Sequence, residues 1–482
     1  MKELATIESG HTNGKSAWDF GEAAEHSLVD ETLKTALLRA TGKFDIGRQE
    51  IMAQLPESEL VREKARQIKD DVLEHLDTYL AGFSEAVQAA GGTVHWAATA
   101  EDANAIITQI AHERDVKRIV KSKSMVSEET HLNKTLLSAG FQVIETDLGE
   151  YILQIADDRP SHIVVPVVHK TKEQITELFN RAFNKELPPV PEELTAVARE
   201  RLREEFCKAD MGITGANFAA ADTGTVVQVT NEGNGRLSTT WPPIHVVLMG
   251  IEKLIPKLSD LPVFLKLLAR SATGQPLTVY TNLVTGPRGQ DEGDGARELH
   301  VVLVDNGRTA ALESRYREVL RCIRCGACLN TCPVYRTVGG HAYGSVYPGP
   351  IGSLLTPLYD GAAMFKDLPY ASSLCGACYD ACPVKINIPQ MLIEMRDDQV
   401  RAKMNTRSER VGFRFWAIGM KHPILYTIGG KLMRYALWFR SRKGWMRKLP
   451  APFSGWTDHR DFPLPASKSF RTRWRQLEKG KR

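Results

Sequence analysis

No uninterrupted apolar run in these 482 residues approaches the roughly 20 needed to cross a bilayer, and no apolar leader precedes the polar start. The chain is therefore expected to stay out of the membrane interior and to work in the cytoplasm. Disulfides are not expected there, because cytosolic thiols stay reduced. A GxGxxG fingerprint at a strand-helix junction is also missing, which places flavin or nicotinamide hydride chemistry on another protein. The stretch Gly10 to Ser16 (GHTNGKS) is one residue short of a phosphate loop and has no strand before it. Cysteine is nearly absent outside two short runs.

Those runs hold seven of the eight cysteines: Cys322-x2-Cys325-x2-Cys328-x3-Cys332-Pro333 and Cys375-x2-Cys378-x3-Cys382-Pro383. Three thiolates three residues apart on a tight loop can converge on three corners of one cuboidal iron-sulfur cluster. The fourth, followed by proline, turns toward the other cluster, as in two-cluster ferredoxins. Cys322, Cys325, Cys328 and Cys382 are thus assigned to cluster one, and Cys332, Cys375 and Cys378 to cluster two. The second set is one thiolate short, with Ser372 where its first cysteine would stand. A 3Fe-4S centre, or a 4Fe-4S centre completed by Ser372, water or a partner's ligand, both satisfy that pattern. A zinc site would use four ligands and leave a third closely spaced cysteine without a job. The remaining Cys207, in a charged helical pattern, reads as an ordinary packed thiol.

Acidic charge is scarce at one end. Residues 401 to 482 carry 21 Lys and Arg against 4 Asp and Glu, a balance of +17 that leaves −13 for the rest of a chain whose net charge is +4. Five of the eight tryptophans lie there: Trp416, Trp438, Trp445, Trp456 and Trp474. Leu425, Ile428, Leu432, Tyr435 and Phe439 follow helical spacing with Lys431, Arg434 and Arg440 interspersed. Such a segment suits an anionic lipid surface at the inner face of the membrane or an acidic partner, or covers the cluster domain as a small core of its own. Nucleic acid is not expected.

Residues 1–60 read as a helical lead-in. One long amphipathic helix is expected from Glu59 to Ala89. Short β-type runs follow at Thr93–Ala97, Arg118–Ser122, Phe141–Thr146 and His162–Pro166, with helices at Asp102–Arg114 and Glu128–Ser138 between them. After a helical stretch from Thr171 to Asp210, strands resume at Thr225–Val229, His245–Met249, Leu277–Asn282 and His300–Val304, interrupted by a loop at Gly286–Gly295. This alternation predicts an α/β domain with a mainly parallel sheet over 61–305. A helix at Arg315–Arg321 leads into an α-helical ferredoxin-type two-cluster domain, 306–390, whose linker around Gly339-Gly340 and Pro348-Gly349-Pro350 is expected as a long loop. A basic helical C-terminal extension, 391–482, completes the chain.

Lys121-Ser-Lys-Ser-Met125, Glu145-Thr-Asp-Leu-Gly-Glu150, Pro160-Ser-His162, Gly215-Ala-Asn-Phe218 with Asp222-Thr-Gly224, and the two cysteine runs, in that order, resemble the lactate utilization protein B family over nearly the whole chain. The resemblance implies a LUD domain related in fold to sugar-phosphate isomerases and CoA transferases. It further implies an electron-transfer subunit, not itself catalytic, of a complex oxidising L-lactate to pyruvate. The companions would be a cysteine-rich-domain protein and a second LUD protein, and the acceptor a quinone or cytochrome. The absent cysteine at Ser372 is usual in that family. Subunits of glycolate-type oxidases share the cysteine runs and form the alternative. A further alternative is a transferase- or isomerase-like LUD enzyme with structural or sensing clusters, and another a binding scaffold that recruits partners through its basic tail. No catalytic residue is assigned, but Lys121, Lys123, Asp147, Glu150, Asp222 and Thr223 lie at or beside expected strand ends, where open α/β sheets bind ligands. There the lysines would hold a carboxylate or phosphate, and Asp147 with Glu150 would do acid-base work.

Overall fold

The computed structural model describes residues 18–439, 441, 443–450, 453–458 and 460–480. Gly10 to Ser16 and Arg440 lie outside them. The chain divides into two compact units, Met1–Ala402 and Lys403–Arg482.

In the first unit, six strands form one parallel sheet: β1 (Thr93–Ala97), β2 (Arg118–Lys121), β3 (Gln142–Glu145), β4 (Met211–Thr214), β7 (Ile244–Gly250) and β10 (Glu298–Val304), in the order β1-β10-β7-β4-β2-β3. A second sheet, in the order β8-β5-β6-β9, holds β5 (Phe218–Ala220), β6 (Thr225–Thr230), β8 (Leu254–Ile255) and β9 (Tyr280–Val284). The central strands β7 and β10 are almost continuously apolar because helices cover both sheet faces. Val246, Leu248, Val302 and Val304 pack on Ala103, Ile107, Leu132 and Leu136, while Val247, Met249, Val301 and Leu303 pack on Leu76, Leu80, Phe83 and Val87.

Several expectations are corrected. The long helix is two, Ser58–Glu74 and Leu76–Ala89, broken at His75. The halves serve different cores: Ala65 and Ile68 face the cluster domain, and Leu80 and Phe83 face the sheet. The helix expected at Glu128–Ser138 is likewise two, Met125–Glu129 and Leu132–Ser138, broken at His131, whose backbone is left-handed. His162–Pro166 is no strand. The buried His162 ring accepts at Nδ1 from the N–H groups of Val164 (3.0 Å) and Val165 (3.1 Å), which curls the segment into a turn. The strand expected at Leu277–Asn282 lies farther on, at β9, where its pairing with β6 sets the register. Strand β4 escaped notice because Gly212 reads as a turn residue; a side chain there would lie 1.9 Å from Ser238 O on the crossing helix Asn234–Thr240. In the cluster domain the expected loop contains a buried helix, Gly349–Tyr359, started by Gly349 at φ +72° and Pro350 in its first turn. Residues Arg317–Arg321 form a 3₁₀ turn.

One apolar core joins the second sheet to the cluster domain, with Phe218, Phe264 and Leu267 against Leu320, Leu329, Tyr335 and Leu354. The helix Ile388–Arg401 closes that core with Met391, Leu392 and Met395. The second unit contains helices Arg407–Lys421 and Pro423–Trp438, neither of which buries a residue. No helix among the described residues is long and apolar enough to cross a membrane.

Candidate iron-sulfur centre

Both cysteine runs fold alike. In each, a residue with left-handed backbone, Arg324 (φ 58°) or Leu374 (φ 54°), precedes Cys-Gly-Ala-Cys, and the glycine is left-handed too, Gly326 at φ 74° and Gly376 at φ 87°. A short helix follows, Ala327–Asn330 or Ala377–Ala381. Two successive reversals bring thiols three residues apart to one side of the loop. Backbone N–H groups then donate to sulfur, Arg324 N to Cys322 Sγ and Ile386 N to Cys382 Sγ, both at 3.4 Å.

The seven thiols fall into two adjoining groups. Cys325 and Cys328 lie within electrostatic reach of Cys322 and Cys382, while Cys332 lies with Cys375 and Cys378. Between the groups, the charge of Cys378 reaches Cys328 and that of Cys382 reaches Cys378. Burial pushes the Cys378 thiol up to about 12 and Cys382 up to about 11, with neighbouring thiolates adding to the effect. Thiols packed together away from water become stable anions only when a cationic centre shares their charge. Cys375 is exposed, whereas Cys325, Cys332, Cys378 and Cys382 are buried. Ser372 is half-buried at the place of the missing cysteine, and its Oγ accepts from Leu374 N at 3.1 Å. Cys207 corrects the sequence reading: it is exposed at its helix's end, the inner face being taken by Leu202 and Phe206.

The surroundings fit an anionic cluster. Arg324 is 9% exposed, its guanidinium lies 4.7 Å over the Tyr347 ring, and its buried Nη1 has no protein partner. The buried Tyr343 hydroxyl also has none, and Tyr343 lies within electrostatic reach of Cys332 and Cys328. Orphaned buried donors are costly unless something absent from the protein accepts from them. Around Arg324 lie three more buried cations, Lys69, Lys253 and Arg308. Arg308 donates to Glu252 Oε2 (2.6 Å) and to both oxygens of Glu129 (2.8 and 2.9 Å). Lys69 donates to the carbonyls of Glu252 and Leu254. Burial presses Lys69 down to about 7 and Lys253 to about 8, opposed by the charges of Glu252 and Cys322. Even with Lys69 only partly charged, Lys253, Arg308 and Arg324 outnumber the carboxylates of Glu129 and Glu252 and leave positive charge in excess beside Cys322, which suits a dianionic cluster. None of this group was singled out from the sequence, because it is assembled from positions 69, 129, 252, 253, 308 and 324.

The expected LUD ligand residues do not form one open site. Lys121 is fully buried, donating to Ser127 Oγ (2.7 Å) and paired with Glu145 (2.7 Å) and Glu128 (3.1 Å). Glu150 lies in the same closed group, its carboxyl raised well above the usual range by burial and then by Glu145. Asp147 caps the helix Leu148–Ala156, accepting from Glu150 N at 3.1 Å, and Lys123 donates to Val164 O. Asp222 accepts from Leu258 N (2.9 Å) and Thr223 bonds Thr225 (2.7 Å), holding the turn between β5 and β6. A separate open cavity of about 770 Å³ lies past β3, lined by Thr146, Leu148, Glu232, Trp241 and Tyr280 among others. Burial and then the charge of Asp147 raise the Glu232 carboxyl to about 7.

Comparison with known proteins agrees with both halves of this architecture. The LUD domain family matches residues 80–304, the 4Fe-4S dicluster domain 318–386, and the family "Lactate utilisation protein B, C-terminal" 394–479. Lactate utilization protein B of Shouchella clausii is 46% identical over 461 residues, covering 95% of this chain and 97% of its own. The chain belongs to the lactate utilization protein B family. Another relative from that family, in Geobacillus thermodenitrificans, is 45% identical over 96% of this chain and 97% of its own. The Escherichia coli electron transport protein YkgF is 44% identical over 94% and 96%. A solved DUF162 family protein from Deinococcus radiodurans, 15% identical over 48% of this chain and 98% of its own, superposes with a TM-score of 0.27, too slight to carry an argument. The dicluster match makes iron-sulfur clusters the resident cofactors of a chain that is α/β first and helical afterwards.

Proposed function

We propose that the chain is the iron-sulfur electron-transfer subunit of a lactate-oxidising complex. Cys322, Cys325, Cys328 and Cys382 hold cluster one, and Cys332, Cys375 and Cys378, with Ser372 at the fourth corner, hold cluster two. The observation that carries the reading is the pair of adjoining thiol groups with orphaned buried donors, Arg324 Nη1 and Tyr343 OH, beside them. When bound, the clusters supply one-electron redox chemistry, taking singly the electron pair that leaves L-lactate as it becomes pyruvate. Around the first group Cys325, Cys382 and Arg324 are buried and Cys322 and Cys328 half-buried, while Cys375, with Tyr370 and Tyr379 exposed nearby, opens the second to a redox partner. Substrate oxidation belongs to the companions, a cysteine-rich-domain protein and a second LUD protein, and the electrons leave for a quinone or cytochrome. This is tested by reconstituting the full chain anaerobically with iron and sulfide and following electron paramagnetic resonance as L-lactate is added. Reduced-cluster signals are expected only with the companions present. Reduction by lactate without them, or none with them, would sink the reading.

The second unit supports a peripheral seat on the inner face of the membrane. Phe413, Phe415, Trp416, Leu432, Tyr435 and Trp438 are exposed among lysines and arginines, a pattern that places rings among headgroups and cations on phosphates. The full chain is expected to sediment with phosphatidylserine vesicles and not with pure phosphatidylcholine, and to be released by salt. Equal recovery with both vesicle types would argue against this seat.

A further inference from the structure

The two cysteine runs serve as internal controls for one another. Cys325 corresponds to Cys375, Gly326 to Gly376, Cys328 to Cys378 and Cys332 to Cys382, with Cys322 opposite Ser372 and Arg324 opposite Leu374. Arg324 and Leu374 share the left-handed backbone, at φ 58° and 54°, so their side chains leave equivalent points of equivalent loops. One is a cation in a dry pocket with an unpartnered nitrogen, and the other is an alkyl group.

We infer that Arg324 makes cluster one the electron sink of this chain, so that electrons arriving at cluster two run inward. The inference rests on the ligand sets proposed above. Adding an electron turns the dianionic centre into a trianion, and a fixed positive charge in a low-dielectric pocket favours the more negative state. Arg324 holds its charge at every accessible pH. Glu252 offsets only part of it, because that carboxylate already accepts from Arg308 at 2.6 Å and stands 3.5 Å from Arg324 Nη2. Lys253, buried near Cys322, adds charge of the same sign. At the second group two cations stand near, both with protein partners: Arg336, whose charge acts on Cys332, is paired with Asp45 at 3.1 Å, and the half-buried Arg396 donates to Pro369 O at 2.9 Å and to Ser372 O at 3.4 Å. The orphaned donor there is the neutral Tyr343 hydroxyl. Cys375 is exposed, so water also screens that site. Charge and burial thus act in the same spatial order, from the surface at Cys375 to the interior at Arg324.

A potentiometric titration of the reconstituted full chain, read by electron paramagnetic resonance, tests this. Cys375→Ser identifies the cluster-two signal. In the unaltered chain cluster one is expected to reduce first. Arg324→Leu, which copies the second loop, should lower the ratio of reduced to oxidised cluster one at fixed potential about tenfold or more, which is about 59 mV for one electron. Arg324→Lys should retain most of the difference. Should Arg324→Leu take up no iron, Leu374→Arg decides, since it leaves the ion group around Glu252 intact: cluster two should become easier to reduce by a similar factor. If cluster one reduces last, or if the iron-loaded variant keeps both midpoints, the inference is overturned. A failure of the lactate reading shows itself differently, as clusters that titrate in this order but take no electrons from lactate and the companions.

Discussion

Arg308→Ala is expected to destabilise the first unit by about 3–5 kcal/mol, the usual cost of removing one partner from a buried ion group. The guanidinium is fully buried and makes three charge-assisted bonds, one to Glu252 and two to Glu129. Glu129 comes from the helix after β2, Glu252 from the turn after β7, and Arg308 from just beyond β10. One side chain therefore ties together the C-terminal ends of the parallel sheet where the cluster domain docks. The packing leaves no slack: a Cβ on Gly250 would stand 2.1 Å from Glu252 Oε2. Burial alone would raise the Glu252 carboxyl, but Arg308, then Lys253 and Arg324, hold it down at about 2. Its contribution is thus complete above the unfolded value near 4.5 and is lost as pH falls toward 2. In Arg308→Ala the carboxyls take up protons more readily, so the deficit against the unaltered chain should be larger at pH 8 than at pH 5. Urea unfolding followed by tryptophan fluorescence at both pH values measures it. A change no larger than a surface substitution causes, under about 0.5 kcal/mol, would contradict the role given to Arg308.

Cys322→Ser is expected to remove cluster one and with it about half of the bound iron and sulfide, because it takes one of the four thiolates from that cubane, and the shorter Oγ of a serine placed on a loop spaced for a cysteine sulfur stops short of the iron, unlike Ser372 on its own native loop. The far-ultraviolet circular dichroism should persist, since the core that joins the domains rests on Leu320, Ile323, Leu329, Tyr335 and Leu354. Lactate-driven electron flow through the proposed complex should stop. Cys375→Ser should instead remove cluster two and leave the cluster-one signal. Were iron content and electron flow to survive Cys322→Ser, the grouping of ligands would be wrong. Loss of both clusters together with loss of helicity would instead mean that the centres are folding staples.

Much of this was readable from residue order because the chemistry is local. Three cysteines at three-residue spacing need only one loop to converge, so their purpose survives without knowledge of the fold. Strands β7 and β10 were legible for a similar reason, since a strand covered on both faces must be apolar along its length. Legibility failed where long-range contacts overrule a local pattern. His162 to Pro166 looks like a strand until the imidazole collects two backbone N–H groups. Lys121 looks like a ligand-binding residue at a strand end until Glu145 and Glu128 close around it. Arg324 carried a faint signal, visible by laying one cysteine run over the other and finding leucine in its place.

Residue order thus specified the presence of two metal centres, the class of the sheet and the concentration of positive charge at the end of the chain. Each depends on composition or on spacing within a few residues. The electrical difference between the centres depends on Lys69, Glu129, Glu252, Lys253 and Arg308 meeting Arg324 in one dry pocket. Charges drawn from five separate segments act on one another only once folding has expelled the water between them, and no one-dimensional pattern records that meeting.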